Sequence, residues 1–322
     1  MRSDRALSLI ALVTRACPFA CVSCRMKRPA GATISREDLT RGVELLLREE
    51  GPLELQYFGG EPLLEYELVL ETAIAARRLA ERRGRRLTQT VTTSLLPLTP
   101  GRARELACRG LEFMASLDGD LIVQSRQRPL AGGGVYPWGV LLRNLDGLLA
   151  STAPYVVNMT VRPESAADLT EGVAFLLSRG VRRFQFAYAL GARWGSDGAD
   201  ALERALRGAD ALCAARGADV LNRRGGPEPV LLDGQIVLDA DGGLSVGCWT
   251  VLETVFPGLR AAFARGPVRD AERLPVDGRA PREQLERLLA AASAPDERRT
   301  AADNLDLGRR VERFWARQAR HA

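Results

Sequence analysis

The chain has 322 residues, of which 46% are hydrophobic, and a formal net charge of +5 at pH 7. A chain of this length and composition can bury a large core, which excludes a disordered protein and fits one elaborated domain or a domain with a smaller lobe. The only histidine, His321, is the penultimate residue, so a Ser/His/Asp triad, a Cys/His pair and a His-based metal site are all disfavoured.

The N-terminus and the cysteines indicate the compartment. Residues 1–5 lead into an apolar run that is too short to span a membrane and is not followed by a small-residue cleavage site. The six cysteines are clustered at positions 17, 21 and 24 and scattered at 108, 213 and 248, which is typical of metal binding rather than of a disulfide framework. We therefore expect a cytoplasmic protein without a membrane segment.

Six apolar runs with the character of β-strands follow one another in the first part of the chain, separated by stretches with apolar residues at helical spacing. The predicted strands are 8–14, 53–58, 87–92, 111–116, 155–161 and 183–188, and the predicted helices are 36–50, 67–83, 100–109, 140–149 and 166–178. Strands that alternate with helices of this size form a parallel sheet with right-handed crossovers. Because six units fall short of the eight in a closed barrel, we predict an α/β fold, an open, partial (β/α)6 TIM-like barrel that ends near residue 190.

The remainder of the chain departs from this repeat. A loop and a helix over 200–216 come first, and the stretch 235–248 then predicts two short strands joined by an Asp-Gly turn. Further helices are predicted at 282–292 and 301–317. We therefore divide the chain into a barrel, 1–190, and a C-terminal extension, 191–322, which consists of a hairpin and helices.

Cysteines and polar residues follow the predicted strands, at the carboxyl end of each. In parallel α/β folds the loops at these ends carry the functional groups. The loops contain, in chain order, Cys17, Cys21 and Cys24, then Gly59-Gly60-Glu61-Pro62, Thr92-Thr93-Ser94, Ser116-Leu117-Asp118-Gly119 and Arg162-Pro163-Glu164. We expect all of them to surround one mouth of the barrel.

Three thiols fall within eight residues of the first loop. The spacings of four and three residues between Cys17, Cys21 and Cys24 let their thiolates converge on one inorganic centre. Thiolates are the ligands that soft metals and iron–sulfur clusters select. Two interpretations follow: a structural zinc site, which needs a fourth protein ligand, or a centre with one open coordination position.

These motifs together resemble the radical S-adenosylmethionine (SAM) superfamily. The family's Cys-x3-Cys-x2-Cys follows the first predicted strand, and its Gly-Gly-Glu-Pro follows the second. The segments 57–64, 116–119, 126–129 and 132–134 are similar to the branch that carries a SPASM or twitch extension and often modifies peptides. The resemblance covers most of the chain, from the first strand to the end of the sixth and again at the hairpin.

The resemblance implies one [4Fe-4S] cluster, with three irons held by Cys17, Cys21 and Cys24 and the fourth open to the amino and carboxylate groups of SAM. It also implies reductive cleavage of SAM to methionine and a 5′-deoxyadenosyl radical, which abstracts a hydrogen from the substrate. A partly closed barrel suits this chemistry because the radical must be kept from solvent.

Seven further residues are implied as SAM contacts. The glycines would let the backbone approach the methionine end of SAM, and Glu61 would bind its ammonium group. Arg128, or Arg126 in its place, would bind the carboxylate. An ordinary turn is the alternative for Gly-Gly-Glu-Pro and for Asp118-Gly119. The full set is Gly59, Gly60, Glu61, Ser94, Ser116, Asp118 and Arg128.

The chain departs from the family pattern in both regions. Ser23 stands where many members have an aromatic residue near the adenine, and Thr93-Ser94-Leu95 stands where Thr-Asn-Gly is common. The hairpin ends in Cys248, but the position before its first strand, where relatives have another ligand of an auxiliary cluster, is filled by 231–234, so we expect a single cluster. Three hypotheses remain for Cys248: a small core residue, a vestigial ligand, or a catalytic donor of a hydrogen atom or proton that faces the radical. Cys108 and Cys213 lie in predicted helices and are expected in the core.

We therefore expect a radical SAM enzyme that acts on a ribosomal peptide or a small natural-product intermediate. Oxidation, cross-linking, epimerisation and isomerisation all stay open as outcomes. The expected partners are this substrate and an external flavodoxin-like or ferredoxin-like electron donor. Because the first barrel strand lies at the start of the chain, a separate leader-binding protein or the C-terminal region would recognise a peptide.

Two other classes of function stay open. One is a non-catalytic zinc or iron–sulfur binding module. The other is an RNA-modifying radical SAM enzyme, which the composition disfavours. The positive charge is almost all arginine, with Lys27 the only lysine, and basic residues do not alternate with aromatic ones as in a nucleic-acid surface.

Overall fold

The computed structural model describes residues 6–29, 31–226, 228–229, 234–247, 249–276, 281–292 and 294–319. Six parallel strands form the centre of its sheet and neighbour one another in chain order. They are β1 (Leu7–Thr14), β2 (Leu53–Gly59), β3 (Leu87–Thr93), β4 (Leu111–Ser116), β5 (Tyr155–Val161) and β6 (Arg183–Tyr188). All six predicted strands therefore form, with bounds that differ by at most one residue at an end.

Helices connect these strands. They are α1 (Arg36–Leu46), α2 (Tyr66–Arg82), α3 (Pro100–Cys108), α4 (Leu121–Gln127), α5 (Trp138–Ala150) and α6 (Leu169–Ser178). Local chemistry fixes where several of them begin: the Ser35 hydroxyl accepts from Asp38 N–H at the start of α1, and the Asp120 carboxylate accepts from two N–H groups of α4. The sequence patterns did not predict α4, which has only seven residues.

The strands of the described residues form a sheet with two open edges, β10 and β7, so the predicted α/β fold with an open, partial barrel is confirmed. β1 is buried along almost its whole length, as expected for a strand covered on both faces. Leu9 and Ala11 of β1 lie opposite Leu55 and Tyr57 of β2, and all four side chains belong to the main hydrophobic core.

The C-terminal region adds strands to both edges of this sheet. Its elements are α7 (Gly195–Ala215), β7 (Asp219–Val220), β8 (Ile236–Leu238), β9 (Gly243–Val246), α8 (Leu259–Phe263), β10 (Ala264–Pro267), α9 (Pro281–Ala291) and α10 (Pro295–Gln318). The strand order is β10-β9-β8-β1-β2-β3-β4-β5-β6-β7. The predicted hairpin forms from β8 and β9, and β8 pairs in parallel with β1. The division at residue 190 stays a proposal.

A second, smaller hydrophobic core lies within the C-terminal region. It includes Trp249, Phe256, Leu288 and Leu305. α10 also returns to the barrel, where the Trp315 ring stacks on Phe186 of β6 at a centroid distance of 6.3 Å. Among the described residues, no helix has both the length and the apolar character needed to cross a membrane.

Candidate active site

The three clustered cysteines lie on one loop at the carboxyl end of β1. Cys17 and Cys21 are partly buried and Cys24 is exposed. Backbone hydrogen bonds hold this loop against the end of α4 and the residues after it: Val22 N–H donates to the Gln127 carbonyl at 2.9 Å, and Ala20 N–H donates to the Pro129 carbonyl at 2.7 Å. The loop is therefore fixed at the mouth of the barrel, as the strand-end rule predicts.

The thiols influence one another electrostatically. Burial raises the pKa of Cys17 to about 11 and also raises that of Cys21. The neighbouring thiol raises each value further: Cys21 acts on Cys17, and Cys24 acts on Cys21. Among the described residues, no three His, Cys, Asp or Glu side chains are already gathered as a metal site. The ligand role of the three cysteines therefore stays a prediction.

Two arginines act on these thiols. The positive charge of Arg28 lowers the pKa of Cys17, and Arg28 and Arg128 both lower that of Cys21. Thiols must lose their protons to bind a metal, and nearby cations favour the thiolate form. Three cysteines on one loop with cationic neighbours fit an anionic iron–sulfur cluster in their chemistry.

Gly59 and Gly60 pack against the cysteine loop. A Cβ added at Gly59 would lie 2.3 Å from the Thr14 carbonyl oxygen, and one at Gly60 would lie 2.1 Å from the Ala16 carbonyl oxygen. The Gly60 N–H donates to Thr14 O at 2.7 Å. The contact between the end of β2 and the loop after β1 therefore requires both glycines. This steric reason differs from the predicted one, the approach of the backbone to SAM, which stays a prediction.

Glu61 is fully buried, with 0% of its surface exposed. Its Oε2 accepts from Ser94 N–H at 2.7 Å and from the Ser94 hydroxyl, and its Oε1 accepts from Leu63 N–H at 3.2 Å. Burial raises the pKa of Glu61, and the hydrogen bonds from Ser94 oppose this rise. Cys17 is close enough for the Glu61 charge to raise its pKa. The structure therefore brings together Cys17, Glu61 and Ser94.

Leu95 has a backbone conformation that is rare for its residue type. Its φ is 70°, in the left-handed region that favours glycine. Glycine, which is common at this position in the Thr-Asn-Gly motif named above, adopts this conformation without strain, whereas leucine rarely does. The Asn144 amide donates to the Leu95 carbonyl at 2.8 Å and helps to hold the turn.

Asp118 and Arg128 form a buried, bidentate ion pair. Arg128 Nε lies 2.6 Å from Asp118 Oδ2, and Arg128 Nη2 lies 2.9 Å from Oδ1. The same carboxylate accepts from Thr160 N–H at 2.9 Å, so it joins the end of β4 to β5. The sequence predicts separate SAM contacts for these two residues and does not predict this pair. Their contacts with SAM stay a prediction.

Two other predicted positions lie nearby. Ser116 is the last residue of β4, partly exposed, and lies opposite Asn158 of β5. Arg126, the alternative carboxylate ligand, instead pairs with Asp168 and is more than half exposed. Cys248 lies outside the described residues.

The two cysteines in helices differ from each other. Cys213 of α7 is buried, as expected, whereas Cys108 of α3 is exposed, so the expected core position of Cys108 is wrong.

Sequence reasoning missed a buried charge network at the exit of the cysteine loop. Arg15, with 5% of its surface exposed, binds Asp239 through Nε at 3.0 Å and Nη2 at 2.6 Å. Its Nη1 binds Glu253 at 2.7 Å and the Lys27 carbonyl at 2.9 Å. No local signal distinguishes Arg15 from the many other arginines, because its carboxylate partners follow it by more than 220 residues.

The C-terminal region also binds the loop exit through the backbone. Glu253 Oε2 accepts from Lys27 N–H at 3.1 Å, and Thr254 N–H donates to the Arg25 carbonyl at 2.9 Å. The chain directly after Cys24 is therefore held in place by residues of the C-terminal region.

Comparisons with known proteins identify the fold. No family model and no curated protein matches the chain. Native anSMEcpe with bound AdoMet, which is SAM, superposes with a TM-score of 0.70 at 14% identity, covering 94% of this chain and 83% of that one. The complex of anSMEcpe with AdoMet and the Kp18Cys peptide gives 0.67 at 16% identity, with coverages of 83% and 79%.

A third solved structure is similar over less of its own length. SuiB from Streptococcus suis, bound to the precursor peptide SuiA, gives a TM-score of 0.57 at 16% identity, covering 77% of this chain and 61% of that chain. The chain thus shares the open, partial-barrel fold of anSMEcpe and SuiB.

Proposed function

We propose that this chain is a radical SAM enzyme that modifies a peptide. The main support is the arrangement at the mouth of the barrel, where direct hydrogen bonds join the cysteine loop, the Gly59-Gly60-Glu61 segment and Ser94. Glu61 N–H donates to the Ala16 carbonyl at 2.8 Å, which places the buried carboxylate next to the thiol loop. These are the groups that the family uses around its cluster and SAM.

In this proposal Cys17, Cys21 and Cys24 hold a single [4Fe-4S] cluster. When bound, the cluster would supply the electron for reductive cleavage of SAM, the chemistry that would lead to hydrogen abstraction from the substrate. Arg28 and Arg128 stabilise the negative charge that three thiolates bring. Cys248 by itself cannot hold an auxiliary cluster, so the proposal includes one cluster only. The outcome after hydrogen abstraction stays open.

The chain's own residues would orient SAM. The buried Glu61 carboxylate is held by hydrogen bonds from Ser94, so it can bind an ammonium group with little loss of freedom. Ser116 is partly exposed at the same edge and can donate to a ribose or methionine oxygen. The Asp118 carboxylate already accepts two hydrogen bonds from Arg128. In this proposal Asp118 therefore positions Arg128 beside the cysteine loop.

A peptide is the proposed substrate class. Two solved structures with this fold hold peptides: anSMEcpe with the Kp18Cys peptide and SuiB with the precursor peptide SuiA. The proposal includes an external electron donor, a cytoplasmic location and recognition of the peptide by a separate leader-binding protein or by the C-terminal region.

Reconstitution with iron and sulfide without oxygen tests this function. With dithionite and SAM, we expect about four irons per chain and release of 5′-deoxyadenosine, the product of an uncoupled radical SAM reaction. One zinc per chain and no 5′-deoxyadenosine would instead identify a non-catalytic zinc module. Bound iron without SAM cleavage would identify an iron–sulfur binding module.

A further inference from the structure

A large cavity lies between the exit of the cysteine loop and the C-terminal region. Its volume is about 720 Å³, within the range of roughly 300–1,000 Å³ that is typical of small-ligand sites. One wall comes from the segment that follows Cys24, and the opposite wall includes Ala240 and Pro257. The charged residues that line it are Arg15, Lys27, Arg28, Asp241, Glu253 and Arg260.

Two of the four cations already have counter-charges. Arg15 is bound by the carboxylates of Asp239 and Glu253. Arg260 pairs with Asp241, and its guanidinium lies over the Trp249 ring, 5.7 Å from the centroid. The charges of Arg15 and Arg260 are therefore balanced by carboxylates of the protein itself.

Lys27 and Arg28 differ from those two cations. Arg28 donates to the Phe19 carbonyl and interacts with the thiols of the cysteine loop, so it lies between the loop and the cavity. Across the part of the chain that the structure describes, the Lys27 ammonium has no carboxylate within 4.0 Å. The cavity therefore holds a cation whose counter-charge the described residues do not provide.

The backbone of Lys27 is held rigidly although its side chain is exposed. Its N–H donates to Glu253 and its carbonyl accepts from Arg15, and both partners belong to the buried charge network. A side chain on a fixed backbone loses less freedom when it binds a ligand. Lys27 is also the only lysine in a chain whose other basic residues are all arginine. An ammonium is a compact point charge, whereas arginine prefers planar, bidentate partners.

The rest of the lining is mainly apolar. Pro29, Ala32, Ala240 and Pro257 contribute surface that a substrate's aliphatic or backbone atoms can cover. A few convergent polar groups in an otherwise apolar cavity fix the orientation of a ligand.

We propose that this cavity binds a carboxylate of the substrate through the ammonium of Lys27, with Arg28 beside it and the proline and alanine surface covering the adjoining atoms. The substrate role rests on the function proposed above. Because Arg28 lines the cavity and also interacts with the thiols, the cavity would anchor a part of the peptide beside the cysteine loop. Binding energy from such a part can serve to position the reacting group.

The single lysine makes the site directly observable. Reductive methylation of the reconstituted protein with ¹³C-formaldehyde keeps the charge of the amine and gives one dimethyl-lysine NMR signal, from Lys27, besides that of the N-terminus. Three probes are then titrated at constant ionic strength: N-acetyl-glutamyl amide, with a side-chain carboxylate; N-acetyl-alanine, with a terminal carboxylate; and the neutral N-acetyl-glutaminyl amide.

A saturable shift of the Lys27 signal with either carboxylate probe, without a shift of the N-terminal signal, would support the proposal. The probe with the lower dissociation constant identifies the source of the carboxylate. Arg260→Gln, which removes a cation of the opposite wall, should weaken binding roughly two- to fivefold. The matched control is Arg309→Gln, an exposed arginine of α10 paired with Asp306, which should leave binding unchanged.

The proposal is overturned if neither carboxylate probe gives a saturable shift of the Lys27 signal. It is also overturned if the neutral probe shifts that signal as much as the carboxylate probes do, or if the N-terminal signal shifts as much as that of Lys27. Its failure is distinct from failure of the proposed function. If the protein releases 5′-deoxyadenosine but the Lys27 signal does not shift, the proposed function holds and the carboxylate site is wrong. If the Lys27 signal shifts but no 5′-deoxyadenosine is released, the carboxylate site holds and the proposed function is wrong.

Discussion

Ser94 donates two hydrogen bonds to one oxygen of Glu61, from its backbone N–H and from its hydroxyl. This contact joins the ends of two neighbouring strands, β2 and β3, directly beside the cysteine loop. A carboxylate so deeply buried is costly unless it is neutralised or hydrogen-bonded. Its position at the mouth therefore has a measurable effect on stability.

The stability of the protein should depend on pH through Glu61. Because burial raises the pKa of Glu61 above its ordinary value of 4.5, the folded chain binds a proton there that the unfolded chain has already released. The stabilising contribution of the protonated form is present at acid pH and is lost as the pH rises from 4.5 towards the raised value. In urea denaturation, the free energy of unfolding of wild type should therefore fall relative to that of Glu61→Gln as the pH rises through this interval.

The exposed Glu37 in the first turn of α1 provides the control for this experiment. Glu37→Gln removes one negative charge from an exposed position and shows how much of any difference comes from the loss of charge alone. If the free energies of unfolding of wild type and Glu61→Gln change in parallel with pH, the raised pKa of Glu61 is wrong.

Cysteine substitutions should separate cluster ligands from other thiols. Cys17→Ala removes one of three loop thiols, so we expect loss of nearly all iron after reconstitution and no release of 5′-deoxyadenosine. Cys108→Ala, an exposed cysteine of α3, should keep both. Iron content and product release are measured on the same samples, and equal losses in the two variants would contradict the assignment.

Cys248→Ala tests the expectation of a single cluster. If Cys17, Cys21 and Cys24 hold the only cluster, this variant should keep all of its iron. Loss of about half the iron would show a second cluster. Retained iron with reduced product release on a peptide would favour the hypothesis of a catalytic donor.

The paired residues Asp118 and Arg128 should be far more important for stability than an exposed pair of the same chemistry. Asp118 and Arg128 are 4% and 9% exposed, so Asp118→Asn leaves a buried guanidinium without its counter-charge. We expect a loss of about 3–5 kcal/mol in urea denaturation. Asp168→Asn removes the partner of Arg126, which is more than half exposed, and should cost less than about 1 kcal/mol. Similar losses would contradict the buried pair.

Gly60→Ala should displace the cysteine loop. The added Cβ would lie 2.1 Å from a backbone oxygen, Ala16 O, which cannot move away as a flexible side chain would. We expect a lower midpoint of thermal unfolding and reduced iron uptake. Gly132→Ala meets nothing within 4 Å and should behave as wild type in both measurements. Normal iron uptake by Gly60→Ala would show that the loop does not depend on this contact.

The sequence predicted the strands well because each is an apolar run between turn-forming residues, a property of adjacent positions. The rule that functional loops follow parallel strands then placed Cys17, Glu61 and Ser94 at one mouth, where the structure also has them. Local patterns were sufficient for these features.

Features that depend on distant residues could not be predicted. The Asp118–Arg128 pair and the partners of Arg15 are chosen by three-dimensional proximity, and Arg15 and Asp239 are 224 residues apart. The pairing of β8 with β1 is equally remote in sequence. Leu95 could not be predicted for a different reason. Its backbone is left-handed, a conformation that leucine rarely adopts, so residue preference indicates the wrong conformation.

The network around Arg15 has a consequence for biosynthesis. Arg15 leaves the ribosome long before Asp239 and Glu253, which at roughly 5–20 residues per second is a delay on the order of 10–45 s. Throughout that delay the guanidinium next to the cysteine loop lacks both counter-charges, so the loop exit cannot take its final position. Cofactor insertion should therefore follow completion of β8 and the segment around Glu253, and nascent chains arrested before residue 236 should take up little iron.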